Sequence, residues 1–339
     1  MKRMLFHTLL LLLPVLFLGA CKEEEQPKSS GNKKSYPEEV TPSPGGGSSS
    51  TPTILQVATY NILKPSGSGR RDEMSLDREE VKEALYWSIL GTGAAIVAFN
   101  ELDQTCIPGG DYALDRICKD LPGKWGWKTA WPNKINAYPP LSYSYANGFA
   151  YNQNLVSLKE SGYVWLSKTQ NTWYTSSTEA YGKAGSPERT CIWARFLVNS
   201  TQREFWLFVT HLPTEKQGGA LNMATVVNRF AADKAGKAPA ILCGDMNFGP
   251  GKDPYERLCT YWSDGNAKST QGTLSGSSDD YYYTVQTFSE NHPERRIDHI
   301  LTHGCTASGY SLVPVTYSLK GKAWCPSDHL PVTATITIP

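Results

Sequence analysis

Residues 241–247 read ILCGDMN, an apolar run that ends abruptly in Gly-Asp-Met-Asn. A short apolar run bounded by glycine predicts a buried β-strand, so Asp245 and Asn247 should emerge at its C-terminal end, where a sheet delivers side chains to a cleft. Asp, Asn and Gly are also common turn residues, so the motif alone leaves a simple turn as the alternative. The choice between the two depends on what else the chain supplies.

Three further predicted strands end in a polar side chain in the same way. Asn61 ends the first apolar strand pattern of the chain, and Glu101 follows the second. His211 comes directly after a strand predicted over residues 204–209. Taken singly, these are more often a turn asparagine, a surface carboxylate and a structural histidine. Their recurrence at strand ends is what calls for a common explanation.

Two segments near the C-terminus place an acidic residue beside a histidine at a strand boundary. Asp298 lies in Arg-Ile-Asp-His at residues 296–299, and Asp328 precedes His329 in Ser-Asp-His-Leu-Pro-Val at residues 327–332. A carboxylate beside an imidazole can orient the ring and tune its charge. Both segments therefore join the set of candidate functional positions.

Apolar residues at helical spacing predict helices over residues 78–90 and 221–230. Strand-like runs cover residues 147–158 and 161–167. A helix between two apolar strands is typical of a layered α/β or α+β domain. Residues 104–146 read as irregular and rich in aromatic rings, which could wall or cover a substrate site. Most of these rings should nevertheless pack against the domain, since large apolar surfaces are costly to expose.

Arg189 opens a strand that alternates strictly between apolar and polar residues. Its guanidinium could donate charge-assisted hydrogen bonds to a phosphate, with an ordinary surface arginine as the alternative. The histidines His292, His299 and His303 lack a comparable context. We interpret these three as surface or packing residues.

The N-terminus has the pattern of a secretory signal, with a basic start, a short apolar core and small residues before Cys21. The ending Leu-Gly-Ala-Cys resembles a bacterial lipobox, which implies cleavage before Cys21 and lipidation of that residue. Residues 1–21 are thus predicted to be a signal, 22–52 a disordered tether and 53–339 the folded domain. We expect a lipid-anchored protein outside the inner membrane, at the outer membrane, with exposure at the cell surface left open.

Charge in the predicted domain is balanced. Six of the 33 Lys and Arg residues and five of the 32 Asp and Glu residues lie in residues 1–52, which leaves 27 of each sign in the domain. A protein that holds a long nucleic acid through its phosphates usually carries a basic excess. The balance therefore favours a small substrate.

Seven cysteines follow Cys21, none of them in the paired spacing of a zinc site. An odd number leaves at least one thiol free in an exported protein. Cys106 with Cys118, or Cys305 with Cys325, are the candidate disulfides. The cysteine at position 243 reads as a small buried apolar residue.

Together the candidate residues are the set that a metal-assisted phosphoester hydrolase requires. They are Asn61, Glu101, His211, Asp245, Asn247, Asp298, Asp328 and His329. The surrounding motifs, in this order along residues 55–336, resemble the endonuclease/exonuclease/phosphatase superfamily and in particular its exported bacterial branch. The chain departs from that pattern at Asn100, where Gln often precedes the catalytic Glu, and also at Pro213 and His299.

The resemblance implies an α+β fold, a four-layer α/β/β/α sandwich with two mainly antiparallel sheets and the active site at one edge. It also implies a metal site at Glu101, Asn61 and Asp328, holding Mg²⁺ or alternatively Mn²⁺. The implied roles are catalytic for His211, Asp245, Asn247, Asp298 and His329, and phosphate-binding for Arg189, Asn247 and His211. Asp245 would activate the water, and Asp298 would orient His329.

Two classes of function follow from these expectations. The first is a Mg²⁺-dependent phosphoester hydrolase, either a nuclease or phosphodiesterase, or a phosphatase of sugar or inositol phosphates. The second is a non-catalytic surface lipoprotein that binds a glycan or a partner on the same fold. Retention of all eight polar residues favours the first. The expected partners are a phosphorylated small molecule or a nucleic acid, and the membrane through Cys21, and no protein partner is implied.

Overall fold

Thirteen strands and four helices are formed by the residues that the computed structural model describes, all of them within the unit Pro44–Pro339. The described residues are 51–63, 78–102, 113–130, 146–169, 180–183, 189–269, 271–273 and 295–339. The strands are β1 (Thr53–Asn61), β2 (Ile96–Leu102), β3 (Trp125–Ala130), β4 (Ala146–Asn152), β5 (Val156–Trp165), β6 (Thr190–Val198), β7 (Glu204–Thr210), β8 (Ala240–Asp245), β9 (Asp298–His303), β10 (Thr306–Leu312), β11 (Tyr317–Leu319), β12 (Lys322–Trp324) and β13 (Val332–Ile338). The helices are α1 (Glu79–Gly91), α2 (Ala113–Asp120), α3 (Ala220–Ala235) and α4 (Asp253–Leu258).

Within these ranges the strands form two large sheets and one small hairpin, β11-β12. The first sheet has the order β10-β13-β1-β2-β4-β3, and the second has the order β5-β6-β7-β8-β9. Each sheet has one parallel pair, β1 with β2 and β7 with β8, and the other pairs are antiparallel. A parallel pair needs a crossover, and α1 and α3 lie between the paired strands in the chain. The predicted mainly antiparallel sheets are confirmed.

The two sheets pack face to face over an apolar core. Val57 and Ile96 of the first sheet share this core with Leu207 and Ile241 of the second, all of them buried. Helix α3 covers the outer face of the second sheet, and α1 and α2 cover the outer face of the first. The predicted four-layer α/β/β/α sandwich is therefore confirmed.

The strand ends that the sequence singled out lie where they were expected. Strand β8 is buried along its whole length and ends at Asp245, and β1 ends at Asn61. Because β1 is parallel to β2, with Asn61 opposite Asn100, both strands deliver their last side chains to the same end of the sheet. The parallel pair β7-β8 does the same for His211 and Asp245.

Residues 104–146, predicted to be irregular, contain helix α2 and strand β3. Both elements are short, so their periodicity was hidden among the surrounding aromatic, Pro and Gly residues. Two of the rings, Trp125 and Trp127, are half-buried against the core beneath α1 and α2, as expected. The rest of the aromatic stretch, residues 104–112 and 131–145, lies outside the described residues.

Strands β4 and β5 also differ from the predicted runs over 147–158 and 161–167. The side chain of Asn152 accepts a hydrogen bond from the backbone N–H of Asn154 at 3.0 Å, which ends β4 in a turn. Strand β5 then starts at Val156. The predicted boundary was wrong because the Asn turn signal was read as part of a strand.

The predicted disulfide between Cys305 and Cys325 is absent, because both thiols are free. Burial raises the pKa of Cys325 to about 12, so this thiol is neutral at physiological pH. Cys118 is also free, and Cys106 lies outside the described residues. Cys243 is fully buried in the inter-sheet core, as its apolar context predicted.

The predicted signal and tether, up to residue 50, lie outside the described part of the chain. Among the residues described, no helix is both long and apolar enough to span a bilayer. The lipid anchor at Cys21 therefore stays a prediction.

Candidate active site

Four of the predicted strand-end residues meet around one carboxylate, that of Asp245. Its Oδ2 lies 3.1 Å from Asn61 Nδ2 and 3.4 Å from His211 Nε2. The same Asn61 amide also donates to Glu101 Oε1 at 3.3 Å. Asn61, His211 and Asp245 are almost fully buried, while Glu101 is half-buried. The first and second sheets thus contribute polar groups to a single centre at their shared edge.

The orientation of the Asn61 amide is set by the backbone. The N–H of Leu63 donates to Asn61 Oδ1 at 3.1 Å, and an N–H group can only donate. The amide nitrogen therefore faces the two carboxylates. In this arrangement Asn61 holds Glu101 and Asp245 as a hydrogen-bond donor.

Asp245 takes part both in a turn and in the polar centre, so the two interpretations of Gly-Asp-Met-Asn are compatible. Its Oδ1 accepts the backbone N–H of Asn247 at 2.8 Å, which closes a turn, while its Oδ2 faces the centre. The side chain of Asn247 donates to the carbonyl of Leu212 at 2.7 Å, so it ties this turn to the segment after His211.

Backbone strain concentrates at this centre. Gly244 has φ of +140°, and a Cβ at this position would lie 1.9 Å from the Thr210 carbonyl oxygen. Strands β7 and β8 therefore come closer together here than any residue other than glycine would allow. Glu101 and Asn247 both have φ of +55°, in the left-handed region that costs energy for residues other than glycine. Strained positions of this kind cluster at functional sites.

A second pair, Asp298 and His329, lies next to Asp245. His329 Nδ1 is 2.8 Å from Asp298 Oδ2, and the hydroxyl of Thr273 donates to the same oxygen at 2.6 Å. The other ring nitrogen of His329, Nε2, is 3.8 Å from Asp245 Oδ2. The predicted His–carboxylate pair is thus formed, and its free end points at the carboxylate of Asp245.

Burial and neighbouring charges shift the pKa values of both His329 and Asp245. Burial alone would lower the pKa of His329, but the nearby carboxylates of Asp298, Asp328 and Asp245 outweigh it and raise the pKa well above its usual value. Burial raises the pKa of Asp245 to about 7, helped by Asp298, which is its direct partner across β8 and β9. At neutral pH the imidazole of His329 is therefore charged, and the carboxyl of Asp245 is near the midpoint of its titration.

Two further predicted site residues, Arg189 and Asp328, lie just before strand β6 and just before His329 in the chain. Arg189 is only 1% exposed, and its Nη2 donates to Gln217 Oε1 at 3.0 Å in the loop before α3. Asp328 is half-buried beside His329, with Oδ1 3.5 Å from the Ser327 hydroxyl. The surface alternative for Arg189 is therefore wrong, and its contact with a phosphate stays a prediction.

The donor set fits a hard divalent cation such as Mg²⁺, which takes carboxylate and carbonyl oxygens as ligands. Glu101 and Asp245 supply two carboxylates that share the single Asn61 amide. One ligand atom each from Asp245, Asp298 and His329 also falls within 4.8 Å of the others. The Asp298 oxygen there is already bonded to an imidazole and a hydroxyl, so this cluster is a poorer metal site than the half-buried carboxylate of Glu101.

Three further residues support the centre, although no functional role was predicted for them. The Ser327 hydroxyl donates to the Asn61 carbonyl at 2.7 Å and so links β1 to the Asp-His motif. Asn100 accepts the backbone N–H of Asp245 at 2.7 Å. Both lie inside motifs that were recognised, whereas Thr273 lies in a Gly- and Ser-rich stretch that carries no signal.

His299 is a buried packing residue and does not belong to the centre. Its Nε2 is 2.9 Å from the carbonyl of Phe248, so Nε2 carries the proton and Nδ1 faces Arg296 Nη1 at 3.4 Å. Arg296 also pairs with Asp264 at 3.0 Å. Burial, with the charge of Arg296, lowers the pKa of His299 to about 4. His303 is half-buried and stacks on Tyr261, and His292 lies outside the described residues.

We expect His299 to make the fold acid-sensitive. Its pKa is about 4 when folded and 6.5 when unfolded, so the unfolded chain binds more protons between these values and stability falls as the pH drops through that window. The loss amounts to roughly 3 kcal/mol at 1.36 kcal/mol per pKa unit. Urea unfolding at pH 7 and pH 4.5 should show a smaller loss for His299→Gln than for wild type. A His303→Gln control should behave as wild type, and equal losses in all three proteins would contradict the assignment.

Comparison with known protein families gives one match over most of the chain. The model described as "Endonuclease/Exonuclease/phosphatase family" matches residues 58–329. This range contains all of the candidate site residues. No curated protein matched the sequence significantly.

Several solved structures share the fold of this chain. An endonuclease/exonuclease/phosphatase family protein from Bacteroides thetaiotaomicron is 21% identical, with a TM-score of 0.65 over 86% of this chain and 97% of that one. The mannosyl-6-phosphatase of the same species is 20% identical, with a TM-score of 0.63 over 83% and 99%. D. rerio TDP2 complexed with single-strand DNA product is 15% identical, with a TM-score of 0.53 over 84% and 99%. At these identities the likeness establishes the fold alone.

Proposed function

The chain belongs to the endonuclease/exonuclease/phosphatase family, and from this premise we propose that it is a metal-dependent hydrolase of phosphoester bonds. The observation that carries the proposal is the convergence on Asp245 Oδ2 of Asn61, His211 and His329. A buried carboxylate held between one amide and two imidazoles has the surroundings that a water-activating base requires.

A divalent cation, Mg²⁺ or alternatively Mn²⁺, would be held by Glu101 and Asp328. Asn61 would orient Glu101 by donating a hydrogen bond to it, because its own oxygen already accepts the N–H of Leu63. When bound, the cation would neutralise charge on the phosphoryl group. The half-buried state of both carboxylates supports this assignment, because Mg²⁺ keeps several positions for water and substrate.

Asp245 would take the proton from the attacking water. Burial and the neighbouring Asp298 bring its pKa to about 7, which is close to the value that suits a general base at neutral pH. The backbone N–H of Asn247 holds the other carboxylate oxygen, so the side chain presents Oδ2 in a fixed direction. Asn247 has a second side-chain N–H beyond the one bonded to Leu212, which could donate to the phosphoryl group.

His329 would act as a charged donor on the other side of the centre. Asp298 fixes the ring through Nδ1, which leaves Nε2–H directed toward Asp245 and the space beside it. His211 would contact the phosphate from β7, and Arg189 would support that side through Gln217. These donors would stabilise negative charge that develops as the phosphoester bond breaks.

A small phosphomonoester, such as a sugar or inositol phosphate, is favoured by the equal numbers of acidic and basic residues in residues 53–339. The fold is shared with a mannosyl-6-phosphatase and with a protein whose structure contains a single-strand DNA product, so both substrate classes need testing.

An activity screen tests this proposal. The purified protein is incubated with hexose phosphates, inositol phosphates, a bis-aryl phosphodiester, DNA and RNA, each with Mg²⁺ and with Mg²⁺ plus excess EDTA. We expect release of phosphate or alcohol from at least one substrate, lost in EDTA and restored by added Mg²⁺. Turnover unaffected by EDTA would remove the metal from the proposal, and no turnover on any substrate would favour a non-catalytic binding protein.

We further propose that the protein is tethered by a lipid on Cys21, outside the inner membrane. The support is the lipobox-like sequence before Cys21 and the polar segment after it. We expect cells fed a labelled fatty acid to label the wild-type chain and not Cys21→Ser. Equal labelling of the two proteins would contradict the anchor.

A further inference from the structure

Two asparagines in the first sheet, Asn100 and Asn147, are completely buried directly beneath the centre. Asn100 lies on β2 one residue before Glu101, and Asn147 lies on the neighbouring strand β4. Between Phe99 and Leu102 the pairing of these strands shifts by one residue, which is a β-bulge. A bulge bends a strand and re-aims its side chains.

The carboxamide of Asn100 reaches across to the second sheet. Its Oδ1 accepts the backbone N–H of Asp245 at 2.7 Å, and its Nδ2 donates to the carbonyl of Thr210 at 3.0 Å. Nδ2 also donates to Asn147 Oδ1 at 2.8 Å, and Asn147 Nδ2 donates to the carbonyl of Thr190 at 2.8 Å. The two amides thus link strands β2 and β4 to β6, β7 and β8.

The orientation of both amides follows from their backbone partners. An N–H group can only donate, so the atom of Asn100 that faces Asp245 N must be oxygen. A carbonyl can only accept, so the atoms that face Thr210 O and Thr190 O must be nitrogen. No alternative orientation satisfies all of these groups.

Asn100 fills a gap in the ladder between β7 and β8. These strands pair in parallel up to Val209 and Cys243, and the next residues approach as Gly244 allows. The side-chain amide of Asn100 takes the place of a peptide unit there. It donates to the Thr210 carbonyl and accepts the N–H of Asp245. Buried backbone groups need such partners.

We propose that Asn100 is a positioning residue that sets the spacing of Asp245 and His211, with Asn147 as its support. His211 follows Thr210 directly in the chain, so the amide holds the backbone on both sides of the 3.4 Å His211–Asp245 contact. The role rests on the proposed function, since it describes how the reacting carboxylate is placed. The chain has Asn here, and its short side chain makes both contacts directly.

The test compares two isosteric replacements of buried polar residues, Asn100→Leu and Thr333→Val. Thr333 lies on β13 of the same sheet, and its hydroxyl donates to the carbonyls of Val57 and Thr92, away from the centre. We expect Asn100→Leu to lower kcat by about 30- to 100-fold with KM changed less than twofold, since misplacement of a reacting group by about 1 Å costs on that order. Thr333→Val should keep kcat within threefold of wild type.

A second readout does not depend on activity. Amide hydrogen exchange at Asp245 should speed up at least tenfold in Asn100→Leu, measured under native conditions, and remain at the wild-type rate in Thr333→Val. Unchanged kcat and unchanged exchange in folded Asn100→Leu would overturn the role. If wild type turns over no phosphoester, the proposed function fails, and the exchange rates alone decide whether the amide anchors Asp245.

If Asn100→Leu does not fold, Asn147→Leu tests the same role indirectly, through the residue that supports Asn100. It removes the acceptor of Asn100 Nδ2 and the donor to Thr190 while leaving the Asn100–Asp245 contact in place. We expect a fall in kcat of about three- to tenfold at unchanged KM, a fraction of the loss expected for a full misplacement. A kcat equal to that of Thr333→Val would overturn the proposal.

Discussion

Replacing Asp245 by Asn should lower kcat by about 10²- to 10⁴-fold, the usual contribution of a positioned general base. Asn keeps the shape of the side chain and its acceptor for the N–H of Asn247, but it cannot take a proton from water. Initial rates with the best substrate of the screen, at saturating Mg²⁺, measure the loss.

The same replacement should leave the fold intact or make it more stable. Burial raises the folded pKa of Asp245 from 3.8 to about 7, so its contribution to stability is complete below pH 3.8 and is lost as the pH rises through 7. In EDTA at pH 8 the variant should therefore unfold at or above the wild-type temperature. Asp233→Asn, on the exposed face of α3, is the control and should keep full activity. Full activity in Asp245→Asn would show that another group activates the water.

Replacing His329 by Gln is expected to have the next largest effect, a loss in kcat of about 10²- to 10³-fold. Gln can still donate a hydrogen bond, but it carries no charge beside Asp245 and leaves Asp298 without its imidazole partner. Initial rates measured across the pH range also report how the loss of the His329 charge changes the pKa of Asp245. The charge of His329 lowers the pKa of Asp245, so the acid limb of kcat/KM should move to higher pH in the variant.

His303→Gln is the matched control for this variant, because His303 lies at the far end of β9 and contacts Tyr261. It should retain the wild-type rate and the wild-type pH profile. If His329→Gln lost activity with no shift of the acid limb, the charge coupling between His329 and Asp245 would be contradicted. If both variants kept full activity, His329 would have no part in the reaction.

The strand-end residues were predictable because their signals are local. An apolar run that stops at a polar residue shows in the sequence, and β1 and β8 end at Asn61 and Asp245 as that pattern indicates. The pairing of the two sheets was predictable only through family resemblance, since no local pattern states which strands pack face to face. The contact of Asn61 with Asp245, 184 residues apart, was likewise predictable only through the family resemblance.

Other features of the site could not be predicted, because they depend on contacts between residues that are far apart in the sequence. Asn100 stands out in the sequence only as a departure from the family pattern, and its contact with the backbone of Asp245 is visible only in the structure. Thr273 gives no sign that it bonds Asp298. The proposed Cys305–Cys325 bridge failed for the same reason, because spacing along the chain does not bring two thiols together. His299 was read correctly as a packing residue, but its buried pairing with Arg296 was not foreseen.

The central claim is that an activated water attacks phosphorus at the Asp245 centre, and hydrolysis in H₂¹⁸O tests it most directly. With Mg²⁺ and the best substrate of the screen, mass spectrometry of the products should find one ¹⁸O in the phosphate-containing product and none in the released alcohol. Asp245→Asn should form neither product at a comparable rate. Label in the alcohol, or product formation that Asp245→Asn leaves unchanged, would contradict the claim.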